Sequence, residues 1–333
     1  MKILAIPIFA VLVLGVMAGT VYGDTADSIT CGQTITQSVT LQADLNCMNS
    51  GTDGILLGTS NITLDCAGHT ITGPLSSYGG MTGLNGITVV NASGVTVKNC
   101  HVTYFDDGFV VRSGSGNTLV YDKSDNNGNY GFELSSSSNG NQLYHDEASD
   151  NGGYGFVVES GSDQNQVGSS LSSGNMEAGF VSLTGSGGTV FENDTSYQNS
   201  QDGFIISASN GDMLDGNQAI ENTYSGFAIF GSSGISLGNN TSDGNQMVGY
   251  LMLASQNDKI VNDEAENNSH AGFLADSNSI GNVMSNNTSS ENSGIGYEDY
   301  TKGSGTSSTG NKYDSNTCQD NRSGLSNPSG LCN

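Results

Sequence analysis

The sequence predicts an all-β solenoid: a parallel β-helix with one repeat of 23 or 24 residues per rung. Three observations predict it. Glycines recur at 108, 131, 155, 179, 203, 226, 249, 272 and 296, always 23 or 24 residues apart. An aromatic residue follows each of them, from Phe109 to Tyr297. An asparagine precedes eight of the nine by four residues, as in "NGGYGF", where Asn151 leads Gly155. A fixed period of this length marks units that bury their apolar face only by stacking on their neighbours.

The repeat unit is read as strands, not helices. Helical repeats need ten or more residues of 3.6-residue apolar periodicity, and none occurs. Short bursts such as "GFVV" and "NTLVY" stand instead between Gly, Ser, Asn and Asp, the pattern of short strands joined by turns. Leucine-rich and GGxGxD repeat frameworks are absent. Side chains alternate across a strand. The column Phe109, Phe132, Phe156, Phe180, Phe204, Phe227, Tyr250, Phe273 and Tyr297 is therefore read as inward-facing. Val111, Leu134, Val158, Ser182, Ile206, Ile229, Met252, Ala275 and Asp299, two places on, share its face. Asp299 interrupts this column at the last rung, where a solenoid needs a polar end.

The asparagines at 127, 151, 175, 199, 222, 245, 268 and 292 fill one slot in eight consecutive rungs. Rungs about 4.8 Å apart let each amide donate to one neighbour and accept from the other. Asn127, Asn151, Asn175, Asn199, Asn222, Asn245, Asn268 and Asn292 are thus assigned a structural role. Five residues earlier runs a looser polar column of Asp122, Asp146, Ser170, Asp194, Asn217, Asn240, Asp263 and Asn287.

Composition bounds the setting. Residues 1–23, one lysine followed by an apolar run and small residues, read as a secretory leader. Residues 24–58 read as an N-terminal cap with the first strands, 59–317 as the β-helix, and 318–333 as a C-terminal disulfide cap. The formal charge of −25 repels nucleic acid and anionic membrane surfaces and disfavours polyanionic substrates unless calcium bridges the two. Six cysteines after a leader favour disulfides and an oxidising compartment, hence a secreted, extracellular or cell-surface protein with no membrane span once the leader is removed. The expected pairing, one of fifteen connectivities, is Cys31–Cys47, Cys66–Cys100 and Cys318–Cys332. Nine N-x-S/T sequons occur, about as many as composition alone produces.

The segments "SNITLDCAGHTITG" (60–73) and "NGITVVNASGVTVKNC" (85–100), the repeated N-x-x-x-G-aromatic unit and the ending "NTCQDNRSGLSNPSGLC" resemble the right-handed parallel β-helix repeat proteins. These form a pectate-lyase-like group that includes NosD-like surface and periplasmic proteins. The resemblance spans roughly residues 31–332. It implies a right-handed coil, three strands per rung and frequent carbohydrate-related or surface roles; the cysteines are expected to give disulfide-stapled ends. The group contains lyases, hydrolases, epimerases and noncatalytic proteins, so function rests on the site.

Two regions stand out. Asp106, Asp107 and Arg112, with Asp122, Lys123 and His145 in adjacent repeats, form a candidate catalytic cluster for an acidic polysaccharide. Asp122, Asp146 and Glu147 are the candidate metal ligands; no cofactor is required, and calcium is the ion such acids would hold. The companion motifs of hydrolases, lyases and epimerases are missing. The second region is an outward column beside the aromatic ladder, apolar from Val157 through Val181, Ile205, Ala228 and Leu251 to Leu274 and bounded by Glu133 and Glu298. Leu183, Phe230 and Leu253 face the same way. Such a stripe marks contact with a partner surface, so Val157, Val181, Leu183, Ile205, Phe230, Leu251, Leu253 and Leu274 are the partner-binding candidates. The leading expectation is a noncatalytic protein binding a partner protein, a glycan or a second copy of itself; a polysaccharide lyase or glycoside hydrolase is the alternative.

Overall fold

The computed structural model describes residues 29–74 and 82–333; the expected leader, residues 1–23, lies outside them. The chain winds as a right-handed coil of three parallel sheets. Sheet A has thirteen strands, from Gln33–Ile35 to Ser326–Asn327. Sheet B has twelve, from Val39–Thr40 to Lys312–Asp314, and sheet C twelve, from Leu45–Asn46 to Thr317–Gln319. Among the described residues strands run from Gln33 to Asn327, so both segments read as caps contribute to the sheets. One rung shows the plan. Phe109–Arg112 lies in sheet A, Thr118–Val120 in B and Lys123–Asp125 in C, and Phe132–Ser135 then pairs in register on the first strand.

The inward column packs as the alternation requires. Eight successive ring pairs from Phe109–Phe132 to Phe273–Tyr297 stack with centroids 4.6–4.9 Å apart. Each ring buried this way contributes about 1.5–3 kcal/mol by removal from water, with about 0.5–1.5 kcal/mol more from stacking. Asp299 ends the column among partners: its carboxylate accepts from the backbone of Thr301, the amide of Asn311 and the hydroxyl of Tyr313.

The asparagine ladder holds the corner between sheets C and A. The Nδ2 of Asn151 donates to Oδ1 of Asn175 at 3.0 Å and to the Ser124 carbonyl at 3.1 Å. Its Oδ1 accepts from both the backbone and the side-chain nitrogens of Asn127. One side chain thus links three rungs. The ladder runs one step beyond the repeat, from Asn292 to Asn321. The polar column at the corner between B and C is a second ladder, continuing to Asn316. A third, at the corner between A and B, runs through Asn117, Asn141 and Asn165 and later through Asp258, Asn282 and Asn311. The short corner between B and C turns on one residue with positive φ, such as Tyr121, His145 or Asn193, placed just before each ladder residue.

All three disulfides form as expected. Two lie near the ends; Cys66–Cys100 lies within the coil and ties one rung to the next.

Candidate functional site on the outer face of sheet A

Each rung of sheet A presents a central outward side chain and a second at or just past the strand's end, and the residue before the repeat glycine rises beside them. Along the first of these columns lie Val110, Glu133, Val157, Val181 and Ile205, and along the second Arg112, Ser135, Glu159 and Leu183. The pre-glycine column reads Asp107, Tyr130, Tyr154, Ala178 and Asp202. Two chemistries divide this face along the coil.

Its N-terminal half is polar and acidic. Tyr130 and Tyr154 stack with centroids 5.4 Å apart. Arg112 Nη2 meets Glu133 Oε2 at 3.1 Å, with the glutamate side chain almost fully buried. Burial, followed by the charges of Glu159, Glu177 and Asp107, pushes the Tyr130 hydroxyl well up. Burial and the charge of Glu133 raise Glu159; burial raises Glu177 beside Tyr154. Asp107 is pushed up to about 6, chiefly by burial and then by Glu133, against the pull of its hydrogen bonds.

The acids of the pre-glycine column also have a local duty. Asp53 accepts from the backbone nitrogen of Asn85, Asp107 from that of Tyr130 and Asp202 from that of Ser225, each one rung on, at 2.8–3.0 Å. Asp107 additionally accepts from Asn129 Nδ2. Asp106 holds a different segment, accepting from the backbone nitrogens of Thr82 and Gly83.

The structure distributes the cluster anticipated from sequence over two corners. Asp106, Asp107 and Arg112 lie at the edge of sheet A, whereas Asp122, Lys123 and His145 lie at the corner between B and C. Asp122 and Asp146 face inward as ladder members, accepting from the backbone nitrogens of Cys100 and Asp122 respectively. Glu147 lies outward, ion-paired with Lys123 at 3.0 Å. His145 stacks on Tyr121. The two ladder acids and Glu147 therefore point to opposite sides of the wall, and among the described residues no three acidic, histidine or cysteine side chains are grouped to hold a metal ion.

Beneath the tyrosines and on towards the C-terminus the face is apolar, and part of it is closed. Val157, Val181 and Ile205 form a small cluster with Ala178, roofed by Tyr130, Tyr154, Leu183 and Phe230. Only 0–9% of these three partner-binding candidates is exposed. Leu251, Leu253 and Leu274 remain half-buried. Beside Leu274 a hollow of about 330 Å³ opens between Val248, Ala271 and Ile295, with His270 and Glu298 at its margin.

Apart from Asp107, sequence reasoning missed the pre-glycine column. Tyr130, Tyr154, Val248, Ala271 and Ile295 occupy one fixed slot of the repeat, which was the available signal. It also missed a hydrogen-bonded row on sheet C, in which Thr70 Oγ1 lies 3.2 Å from His101 Nδ1 while His101 Nε2 meets Asp125. No periodicity marks that row, because Asp125 lies two places beyond the residue in register with His101.

Residues 35–196 and 180–327 match the family described as right-handed β-helix region. None of the curated proteins matches the chain. Among solved structures, the chain is similar to the A-module of mannuronan C-5 epimerase AlgE6 from Azotobacter vinelandii. The TM-score is 0.71 at 16% identity, over 89% of this chain and 87% of that one. It is also similar to the periplasmic alginate epimerase AlgG, with a TM-score of 0.70 at 13% identity, over 88% and 76% of the two chains. At such identities the likeness is one of fold. By its sequence match over nearly the whole coil, the chain belongs to the right-handed β-helix region family.

Proposed function

We propose that this protein works outside the reducing cytosol as a noncatalytic scaffold that holds a neutral glycan along the outer face of sheet A. The observation that carries the reading is the composition of that face. A tyrosine pair fringed by Glu159 and Glu177 passes into an apolar stretch ending at the hollow beside Leu274. Binding sites of this kind combine apolar contact area with a few polar groups that fix orientation. Sugar hydroxyls donate to carboxylates, and the C–H faces of sugar rings cover apolar side chains. The acidic half of the face and the charge of −25 disfavour polyuronates. Three disulfides with no free cysteine among the described residues fit an oxidising compartment. The epimerases with this fold, and an α-1,3-glucanase of TM-score 0.50, act on carbohydrate polymers by their names, which favours a glycan over a protein partner.

Calorimetric titration with neutral and with uronate oligosaccharides tests the proposal. Neutral oligomers should bind, and Tyr154→Ala and Glu159→Gln should each weaken binding by about tenfold, the cost of one good contact. Tighter binding of uronates, or neutral binding indifferent to both substitutions, would overturn it.

A second reading has one observation in its favour. Asp107, pushed up to about 6 beside Tyr130 and Arg112, has the poise of a general acid–base for a lyase or hydrolase. Product formation from acidic polysaccharides, lost in Asp107→Asn with the fold intact, would replace the binding reading by this one.

A further inference from the structure

The sequons are no more numerous than composition predicts, but three of the nine form a row in the coil, while Asn61, Asn91 and Asn267 are exposed with positive φ at other corners. Asn240, Asn287 and Asn321 are ladder members, buried and fully engaged: Nδ2 of Asn240, for instance, donates to the Leu214 carbonyl and to Asp263. Attaching a sugar there would break the ladder and force bulk into the coil. Three others, Asn193, Asn239 and Asn286, are exposed at the same position of the corner between sheets B and C. All have positive φ, 56–57°, and in each the sequon is the corner itself. The exposed asparagine comes first, then the ladder residue (Asp194, Asn240 or Asn287), then an outward threonine opening the strand of sheet C (Thr195, Thr241 or Thr288). The intervening rungs carry Gly216 and Asn262 in that slot. The three acceptors therefore lie in line at every second rung, roughly 10 Å apart at the usual strand spacing. That spacing leaves room for a branched chain on each.

We propose that Asn193, Asn239 and Asn286 carry N-linked glycans in a single row along this edge. In each, the side-chain nitrogen forms a bond to the anomeric carbon of an oligosaccharide borne on a polyprenyl phosphate or pyrophosphate. The sugar–oxygen bond to phosphate breaks, its electron pair leaves with the lipid phosphate, and the amide gives up one proton. One N–H remains, so Asn239 keeps its 2.7 Å donation to Asp215. The row stands on the edge that sheet A does not touch, so the glycans shield that edge and leave the outer face of sheet A open. The proposal rests on the export argued above and is independent of what sheet A binds.

Peptide mass spectrometry with electron-transfer fragmentation on the protein purified from its own source tests this, reading the N-terminus in the same digest. The expected result is a chain lacking residues 1–23, with glycan at Asn193, Asn239 and Asn286 and none at Asn240, Asn287 or Asn321. In Thr195→Ala, Thr241→Ala and Thr288→Ala, each glycan mass should vanish from its own site alone. Bare Asn193, Asn239 and Asn286 in a chain whose leader has been removed would sink the row while sparing export. A bare chain that retains its leader would sink both. Glycan on Asn240 or Asn287 would also overturn the proposal, because the ladder cannot hold it.

Discussion

Asn151 stands over Gly131. A Cβ placed on that glycine would lie 3.1 Å from Nδ2 of Asn151, 2.8 Å from the Ala148 Cβ and 2.6 Å from the carbonyl oxygen of Gly155. The recurring glycine thus has a steric cause: the next rung's Gly155 carbonyl and Ala148 fill the space a side chain would need, with the ladder amide of Asn151 close beside them. Gly131→Ala should destabilise the protein by about 3 kcal/mol, at the upper end of overpacking costs because the closest obstacle is backbone. Thermal unfolding checks this; an unshifted midpoint would refute the close approach.

Asn199 sits mid-ladder, donating to the Ser172 carbonyl and to Asn222 and accepting from Asn175. Asn199→Leu removes these bonds and strands buried partners on both sides. The expected loss is about 1–3 kcal/mol, read from denaturant unfolding with an unchanged slope.

The ladder at the corner between B and C makes the fold sensitive to pH. Asp146, Asp194 and Asp263 each bury one carboxylate oxygen without a hydrogen-bond partner. Burial raises Asp194 well above the ordinary carboxylate range, Asp263 to about 7 and Asp122 to about 8, and burial together with the charge of Asp122 raises Asp146. A folded-state pKa above the unfolded value, about 4, means that the native state binds more protons. Stability is then fully present below about pH 4 and falls as pH rises towards 7, until other groups intervene. Unfolding midpoints should be higher at pH 5 than at pH 8. Asp194→Asn should flatten that difference and raise stability at pH 8, since the asparagines at 217 and 240 donate to backbone carbonyls from the same slot. A profile that rises from pH 5 to pH 8 would contradict the assignment.

The apolar stripe should respond unevenly to charge. Val181 is closed over, so Val181→Lys buries an unpaired ammonium and should cost more than about 3 kcal/mol. Leu251 is half-exposed, and Leu251→Lys should cost under about 1 kcal/mol because the long side chain can reach water. Chemical unfolding of the two variants provides the comparison; equal losses would mean that the roof over Val181 is not there. Sedimentation of Leu251→Lys beside the unaltered protein then tells whether this part of the face also holds a second copy.

The candidate site was only partly legible in the sequence. Glu133, Arg112 and the outward apolar column could be placed because they lie on strands whose alternation is fixed. Tyr130 and Tyr154 could not, since they stand in a corner, where the direction of a side chain follows from the turn rather than from a two-residue period. Asp122, read both as a member of the polar column and as part of the catalytic cluster, shows a related limit. Its neighbours along the chain, Lys123 and Tyr121, are outward, but a corner residue with positive φ reverses the chain, so Asp122 points into the coil.

The sequence by itself determined the coil, the rung length, the inward aromatic column and the asparagine ladder, because a strict period makes residues 23 or 24 apart into neighbours whatever else happens. Only the tertiary structure decided which outward residues are covered and which acids are buried. Those outcomes depend on how side chains from different columns lean across one another at the corners, and no periodicity along a single column encodes that.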